Sequence, residues 1–199
     1  MKISTVVRAT IATCALALSA HASAAVLQVN SLGILTGATG VKVEGKLYDV
    51  TFVDGTCASL FSGCDAASDF TFQNATSARA AAEVLLNEVF VDVPNGYFDS
   101  LTARTLGCSS VYYCNSVIPY APSVATRFAA VTAQNNSALY GGNDYSSMGT
   151  WSVTLNSTDS SSMNFAKFQI AGTEVPEPSS VSLIGLAFAG LAFSRRRKS

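Results

Sequence analysis

Hydrophobic and polar residues alternate with a period of two along the middle of the chain, which predicts β-strands. The runs 41–44 and 48–52 both alternate, in opposite phases. Gly45 lies between them, so we expect a bulge or turn there, and Asp54-Gly55 predicts another turn. Further strands are predicted at 69–72, 124–132, 151–155 and 164–170.

One segment has a helical period instead. Apolar residues recur at positions 78, 81, 82, 85 and 89, which predicts an amphipathic helix over 77–89. The stretch 74–77 supplies capping residues, and Pro94 prevents continuation. With the strands, this helix predicts a mainly β fold: sandwich-like antiparallel sheets with one packed α-helix, in a single domain over residues 25–174. The polar stretches 140–145 and 156–162 predict surface loops.

The N-terminus is typical of a secretory signal peptide. Lys2 and Arg8 precede an apolar run over 9–20, and Ala22 and Ala24 supply the small residues of a cleavage site. We expect residues 1–24 to pass through the Sec translocon and to be removed before Ala25. An uncleaved anchor is the alternative, but the apolar run is short for a membrane span.

Residues 175–199 follow a different plan. Pro176 and Pro178 flank Glu177 and favour extended, accessible backbone. An apolar run over 181–193 follows, and then a basic end of Arg195, Arg196, Arg197 and Lys198. The basic residues predict retention of the tail on the cytoplasmic side. As a helix, residues 180–194 cover roughly 22 Å, short of the ~30 Å hydrocarbon core, which makes the segment a marginal permanent anchor.

This three-part tail resembles the PEP-CTERM sorting signal of Gram-negative bacteria. The resemblance implies a transmembrane sorting helix that docks briefly in the inner membrane, and processing by an exosortase near Pro176, Glu177 and Pro178. It also implies a cell-surface or matrix location beside exopolysaccharide in a biofilm. An ordinary C-terminal membrane anchor is the alternative. The region from Tyr48 to the predicted helix loosely resembles a body type of other PEP-CTERM proteins, to which no activity is attached.

Export changes how the cysteines are interpreted. Cys14 leaves with the signal peptide, so an even four remain in the exported domain: Cys57, Cys64, Cys108 and Cys114. Four cysteines allow three connectivities, and we favour the two local pairs, 57 with 64 and 108 with 114, because each flanks a turn-rich segment. A zinc site is the alternative, but zinc sites usually have shorter ligand spacings.

Charge and composition exclude several functions. Between Ala25 and Glu174 there are six basic and 12 acidic residues, a net charge of about −6 that argues against nucleic-acid binding. His21 is the only histidine, and it lies in the signal peptide, so the exported domain has no Ser-His-Asp triad. We therefore predict that the protein is not an enzyme. A hydrolase with paired carboxylates is the alternative, with candidates Asp54, Asp65, Asp69, Asp92, Asp99 and Asp144.

Two binding activities stay open. Asp54, Asp65 and Asp69 lie close in sequence and carry the oxygen ligands that calcium prefers, although EF-hand spacing is missing. No other cofactor is predicted. Tyrosines on predicted loops are candidates for stacking on sugar rings: Tyr112, Tyr113, Tyr120, Tyr140 and Tyr145. The sequence thus predicts a structural or adhesive surface protein that contacts polysaccharide. A membrane-tethered periplasmic protein is a further alternative.

Overall fold

The structure is a computed structural model that describes residues 24–124 and 126–172. Nine strands lie in this range: β1 (Val26–Val29), β2 (Leu35–Val43), β3 (Lys46–Val53), β4 (Asp92–Val93), β5 (Gly96–Tyr97), β6 (Tyr113–Val124), β7 (Arg127–Asn136), β8 (Tyr145–Ser152) and β9 (Met163–Ile170). The α-helices are α1 (Cys57–Leu60) and α2 (Ala75–Val84), and α2 continues as a π-helical turn over Leu85–Val89. Short 3₁₀ turns occupy Ala67–Asp69, Thr102–Arg104, Ala138–Tyr140 and Ser157–Asp159.

Seven strands form one sheet in the order β1-β2-β3-β9-β6-β7-β8, and β4 and β5 form a separate hairpin. All pairs in the sheet are antiparallel except β6 with β9. The mainly β prediction with one packed helix is therefore confirmed. The described strands make a single large sheet with a small hairpin, however, and do not form the two facing sheets of a sandwich.

The sheet buries apolar side chains on both faces. Tyr48, Val50 and Phe52 on β3 belong to a large core that lies under α2 and its π-helical turn. On the opposite face, Phe128 and Phe165 belong to a second core under the segment 57–70. Both layers are needed because each face of the sheet presents an apolar row.

The β2–β3 hairpin confirms the turn predicted at Gly45. Glu44 and Gly45 both have positive φ angles, 47° and 83°. Two such residues fit the right-handed twist of the flanking strands. The two alternating runs have opposite phases because the chain reverses here, and both bury their apolar side chains in the same core.

The helix prediction is confirmed at its end and is two residues short at its start. The side chain of Asn74 accepts a hydrogen bond from the amide of Ser77 at 2.9 Å and so caps the first turn of α2. Buried alanines at 78, 81 and 82 let α2 approach the sheet closely. It packs against β2, β6, β7 and β8.

Three strand predictions need correction. Residues 69–72 are not a strand: Asp69 ends a 3₁₀ turn, and its carboxylate accepts the amides of Asp65 and Ala66. Range 124–132 spans the end of β6 and the start of β7. In range 151–155, β8 ends at Ser152, because the Ser152 carbonyl accepts the Leu155 amide in a turn. The strand at 164–170 is confirmed as part of β9.

The parallel ladder between β6 and β9 is short. It runs from Asn115 with Met163 to Val117 with Phe165. Pro119 follows, and it has no amide hydrogen with which to continue the ladder. Beyond this point the Thr71 hydroxyl donates to the Phe168 carbonyl, so the segment around Thr71 passes beside β9 where β6 no longer pairs with it. Phe70 and Phe72, two residues apart, therefore belong to different cores.

Candidate functional site

The cysteines form the two local pairs predicted. Cys57 is bonded to Cys64, with Cα atoms 5.9 Å apart, and Cys108 to Cys114, with Cα atoms 5.8 Å apart. The first bridge closes the segment that covers the second core. The second lies at the start of β6 and positions the residues immediately before that strand.

Two exposed tyrosines meet where β6 begins and β7 ends. The Ser137 amide donates to the Tyr112 carbonyl at 2.8 Å, which extends the β6–β7 ladder by one residue. The 3₁₀ turn Ala138–Tyr140 then folds back and brings the Tyr140 ring to 4.9 Å from that of Tyr112, centroid to centroid, at 53°. Tyr112 is 61% exposed and Tyr140 62%, so this pair offers its rings to solvent.

A second segment packs beside these tyrosines. The Ser137 hydroxyl donates to the Ser100 carbonyl at 2.6 Å, and the Ala138 amide contacts the Asp99 carbonyl at 3.5 Å. These bonds hold the chain after β5 against the end of β7. Asp99 is therefore a neighbour of the tyrosine turn.

Asp92 organises that second segment. Its carboxylate accepts hydrogen bonds from the Asp99 amide and the Ser100 amide, both at 3.1 Å, and from the Ser100 hydroxyl. Burial acts to raise the pKa of Asp92, but the hydrogen bonds from Ser100 and Asp99 outweigh it and the pKa is lowered. Asp92 is thus held as an anion whose lone pairs are largely used within the protein.

Asp99 and Asp144 behave in the opposite way. Burial raises the pKa of Asp99, and the negative charge of Asp92 raises it further. Burial also raises the pKa of Asp144; the hydrogen bond from the Asn136 amide, at 2.7 Å, opposes this, while the charge of Asp99 adds to it. Asp99 therefore lies close enough to Asp92 to be affected by its charge, and Asp144 close enough to Asp99.

The chain around Asp144 is held by side-chain amides. Asn136 donates from its side chain to the Asn143 carbonyl at 2.8 Å and accepts from Gln134 at 2.8 Å. Gln134 in turn accepts from the Tyr145 hydroxyl at 2.7 Å. We call Tyr112, Tyr140, Asp92, Asp99 and Asp144 the tyrosine–aspartate surface. The sequence did not single out Ser100, Gln134 and Asn136 as its supports, because they gain this role only through strand pairing.

The other predicted site residues lie elsewhere. Asp54 accepts the Ser157 hydroxyl at 2.9 Å, while Asp65 and Asp69 belong to the turn before Phe70. Asp54 is therefore bonded to a different segment from Asp65 and Asp69, and the three side chains do not form a common metal site. Across residues 24–124 and 126–172, no group of three or more histidine, cysteine, aspartate or glutamate side chains is arranged to hold a metal ion.

The remaining tyrosines differ in exposure. Tyr120 is half-buried against the large core and serves packing, which corrects its assignment to a sugar-binding loop. Tyr113 and Tyr145 are exposed strand residues beside the tyrosine–aspartate surface.

The predicted sorting elements fall mostly outside the described residues. This applies to Ala22, to Pro176, Glu177 and Pro178, and to Arg195, Arg196, Arg197 and Lys198. Ala24 and Ala25 are described, and they immediately precede β1. Cleavage between them would leave all nine described strands intact. In the range that the structure covers, no helix is both long enough and apolar enough to cross a membrane; the predicted sorting helix lies beyond that range.

Comparison with known proteins identifies the tail. Residues 174–198 match the PEP-CTERM protein-sorting motif. No curated protein and no solved structure matches the chain. The chain therefore carries a PEP-CTERM sorting signal, which indicates an exported protein that is processed at the membrane and is consistent with an exosortase as the sorting partner.

Proposed function

We propose that the exported domain binds polysaccharide through the tyrosine–aspartate surface and is a non-catalytic, structural or adhesive component of the cell surface or extracellular matrix. The observation that carries the proposal is the exposed Tyr112–Tyr140 pair beside three carboxyl groups. Aromatic rings pack against the apolar face of a sugar, and carboxylates accept hydrogen bonds from its hydroxyl groups. The sorting signal supports it by indicating export.

The test is binding of the exported protein to polysaccharide purified from the native cell surface, with soluble dextran as a specificity control. Tyr112→Ala combined with Tyr140→Ala removes the ring pair and is expected to weaken binding about tenfold or more, the equivalent of ~1.4 kcal/mol. Ile170→Ala is the control, because Ile170 is an exposed apolar residue at the end of β9 that lies away from the start of β6 and from the surface. Equal binding by the double variant and the control would refute the proposal.

A second candidate function is glycoside hydrolysis. Neighbouring carboxyl groups with pKa values pushed in opposite directions, Asp92 downward and Asp99 and Asp144 upward, resemble an acid–base pair. The structural use of Asp92 as a hydrogen-bond acceptor favours the non-catalytic proposal. An assay for new reducing ends distinguishes the two. We expect none from the natural protein; release that either Asp99→Asn or Asp144→Asn abolishes would establish the hydrolase.

The location is tested by the intact mass of the protein recovered from the cell surface or medium. A chain that begins at Ala25 and ends near Pro176 to Pro178 supports release by sorting. A chain that keeps Arg195 to Lys198 would instead support the membrane-tethered periplasmic protein.

A further inference from the structure

β8 is an edge strand whose outer side has no partner among the described strands. The Val153 amide donates to the Thr126 carbonyl at 3.0 Å, and this bond fixes which residues face β7. By alternation, Ser146, Met148 and Thr150 point their backbone N–H and C=O groups away from β7. These groups offer a template for another strand.

The composition of β8 leaves that template unprotected. Natural edges are usually blocked by charged residues or proline, and Tyr145–Ser152 contains neither. Tyr145 is 49% exposed and Met148 56%. In a domain with net charge of about −6, an uncharged edge is where two copies approach with least repulsion.

Arg127 restricts how a second strand can pair. Its guanidinium donates to the Thr150 carbonyl and, at 3.2 Å, to the Thr150 hydroxyl. The outer carbonyl of Thr150 is therefore occupied. Ser146 and Met148 keep both backbone groups available, so an incoming strand is expected to pair with these two.

One self-pairing satisfies this restriction. If a two-fold axis passes through Ser147, Ser146 lies opposite Met148 of the second copy and Met148 opposite Ser146 of the second copy. Both pairs are of the hydrogen-bonded kind, which gives four backbone hydrogen bonds across the axis. The contact is closed, because each copy uses the same strand.

The side chains in this register are complementary. Tyr145 lies opposite Gly149 of the second copy, which has no side chain to clash with the Tyr145 ring, and the hydroxyl of that ring donates to Gln134 of its own copy. One residue further, Asp144 lies opposite Thr150 of the second copy, the residue on which Arg127 is held. The register therefore brings Asp144 of one copy to the strand end where Arg127 of the other copy is held, at both ends of the pairing.

The opposite edge of the sheet is less suited to this role. β1 has four residues, and its pairing with β2 is irregular between Gln28 and Val29. From these contrasts we propose that two copies of the protein associate through antiparallel pairing of their β8 strands, centred on Ser147, to form a continuous sheet of 14 strands.

Native mass spectrometry and analytical ultracentrifugation of the exported protein test this dimer. Ser147 is exposed, so neither Ser147→Lys nor Ser147→Glu should disturb the monomer. Each places like charges face to face across the axis and is expected to raise the dissociation constant of the dimer about tenfold or more. A mixture of the two variants pairs lysine with glutamate and should restore the dimer as a mixed species. Gln28→Lys adds the same charge at the β1 edge and should leave the dimer intact.

The mixed dimer is the decisive result, because a folding defect in either variant could not produce it. A natural protein that sediments as a single copy at tens of micromolar would overturn the proposal. So would a dimer that Gln28→Lys dissociates and Ser147→Lys does not, since that pattern would assign the contact to β1.

Discussion

The two faces of the sheet are covered in different ways. One face lies under α2, a ten-residue helix with its own hydrogen bonds and a side-chain cap at Asn74. The other lies under residues 57–70, where α1 has four residues and the cover is closed by the Cys57–Cys64 bridge. A helix as short as α1 is not stable by itself. We infer that the disulfide stabilises this short cover, as the longer run of helical hydrogen bonds stabilises α2.

The largest expected effect tests whether both cores carry the fold. Phe52 stacks on Phe90 under the helix, at a centroid distance of 5.3 Å, and Phe165 packs against Phe61 under the bridge, at 5.8 Å. Both are fully buried. Phe52→Ala and Phe165→Ala should each lower the free energy of unfolding by about 3–5 kcal/mol. Urea unfolding measures this; a much smaller loss for Phe165→Ala would mean that the second core is dispensable.

Removal of the Cys57–Cys64 bridge comes next. Cys57→Ala with Cys64→Ala releases a short loop, and the chain-entropy argument gives a loss of about 2 kcal/mol. The comparison variant is Asn74→Ala in α2, which leaves the bridge in place and should cost less, about 1 kcal/mol. If the doubly substituted protein unfolds at the urea concentration of the natural protein, the bridge does not stabilise the short cover.

The N-terminal caps of α1 and α2 allow the stability of the two covers to be compared residue by residue. Asn74 caps α2, and Thr56 forms a capping box with Ser59 at α1. Asn74→Ala should cost about 1 kcal/mol of unfolding free energy. Thr56→Ala should cost less than Asn74→Ala while the bridge is intact, because the bridge already constrains α1. Equal losses in thermal unfolding would contradict this difference.

The smallest expected effect is a pH dependence of stability, and it arises outside the two segments that cover the sheet. The carboxyls with shifted pKa values lie at the end of the sheet, where burial and the charge of Asp92 raise the pKa of Asp99. Its ionisation therefore opposes folding, and the stability present below the ordinary pKa of about 3.9 is lost as pH rises through the raised value. Asp99→Asn should raise the melting temperature at pH 7 and have no effect at pH 3. A calorimetric pH series checks this; a gain that persists at pH 3 would contradict it.

Local signals in the sequence anticipated much of this protein. Periodicity identified the helix to its last residue, Val89, and Gly45 marked a turn because few other residues tolerate its backbone angles. Short cysteine spacings beside turns favoured the local disulfides. The PEP-CTERM tail was recognisable because it is contiguous.

Tertiary structure decided the rest. Pro119 and Pro122 argue against a strand, yet both lie in β6, which is an inner strand of the sheet. The sheet tolerates them because the parallel ladder between β6 and β9 ends at Val117, before the first proline. The apolar residues that alternate at 69–72 do not form a strand: Phe70 packs in the second core and Phe72 in the large core, because the chain passes from one core to the other here. Asp92 and Asp99 are close in sequence but Asp144 is distant from both, so only folding could bring the three to the segments that carry Tyr112 and Tyr140. Local geometry and the sorting signal could be read from the sequence, because both are encoded in neighbouring residues. Strand order and the grouping of distant side chains depend on contacts that no local pattern contains.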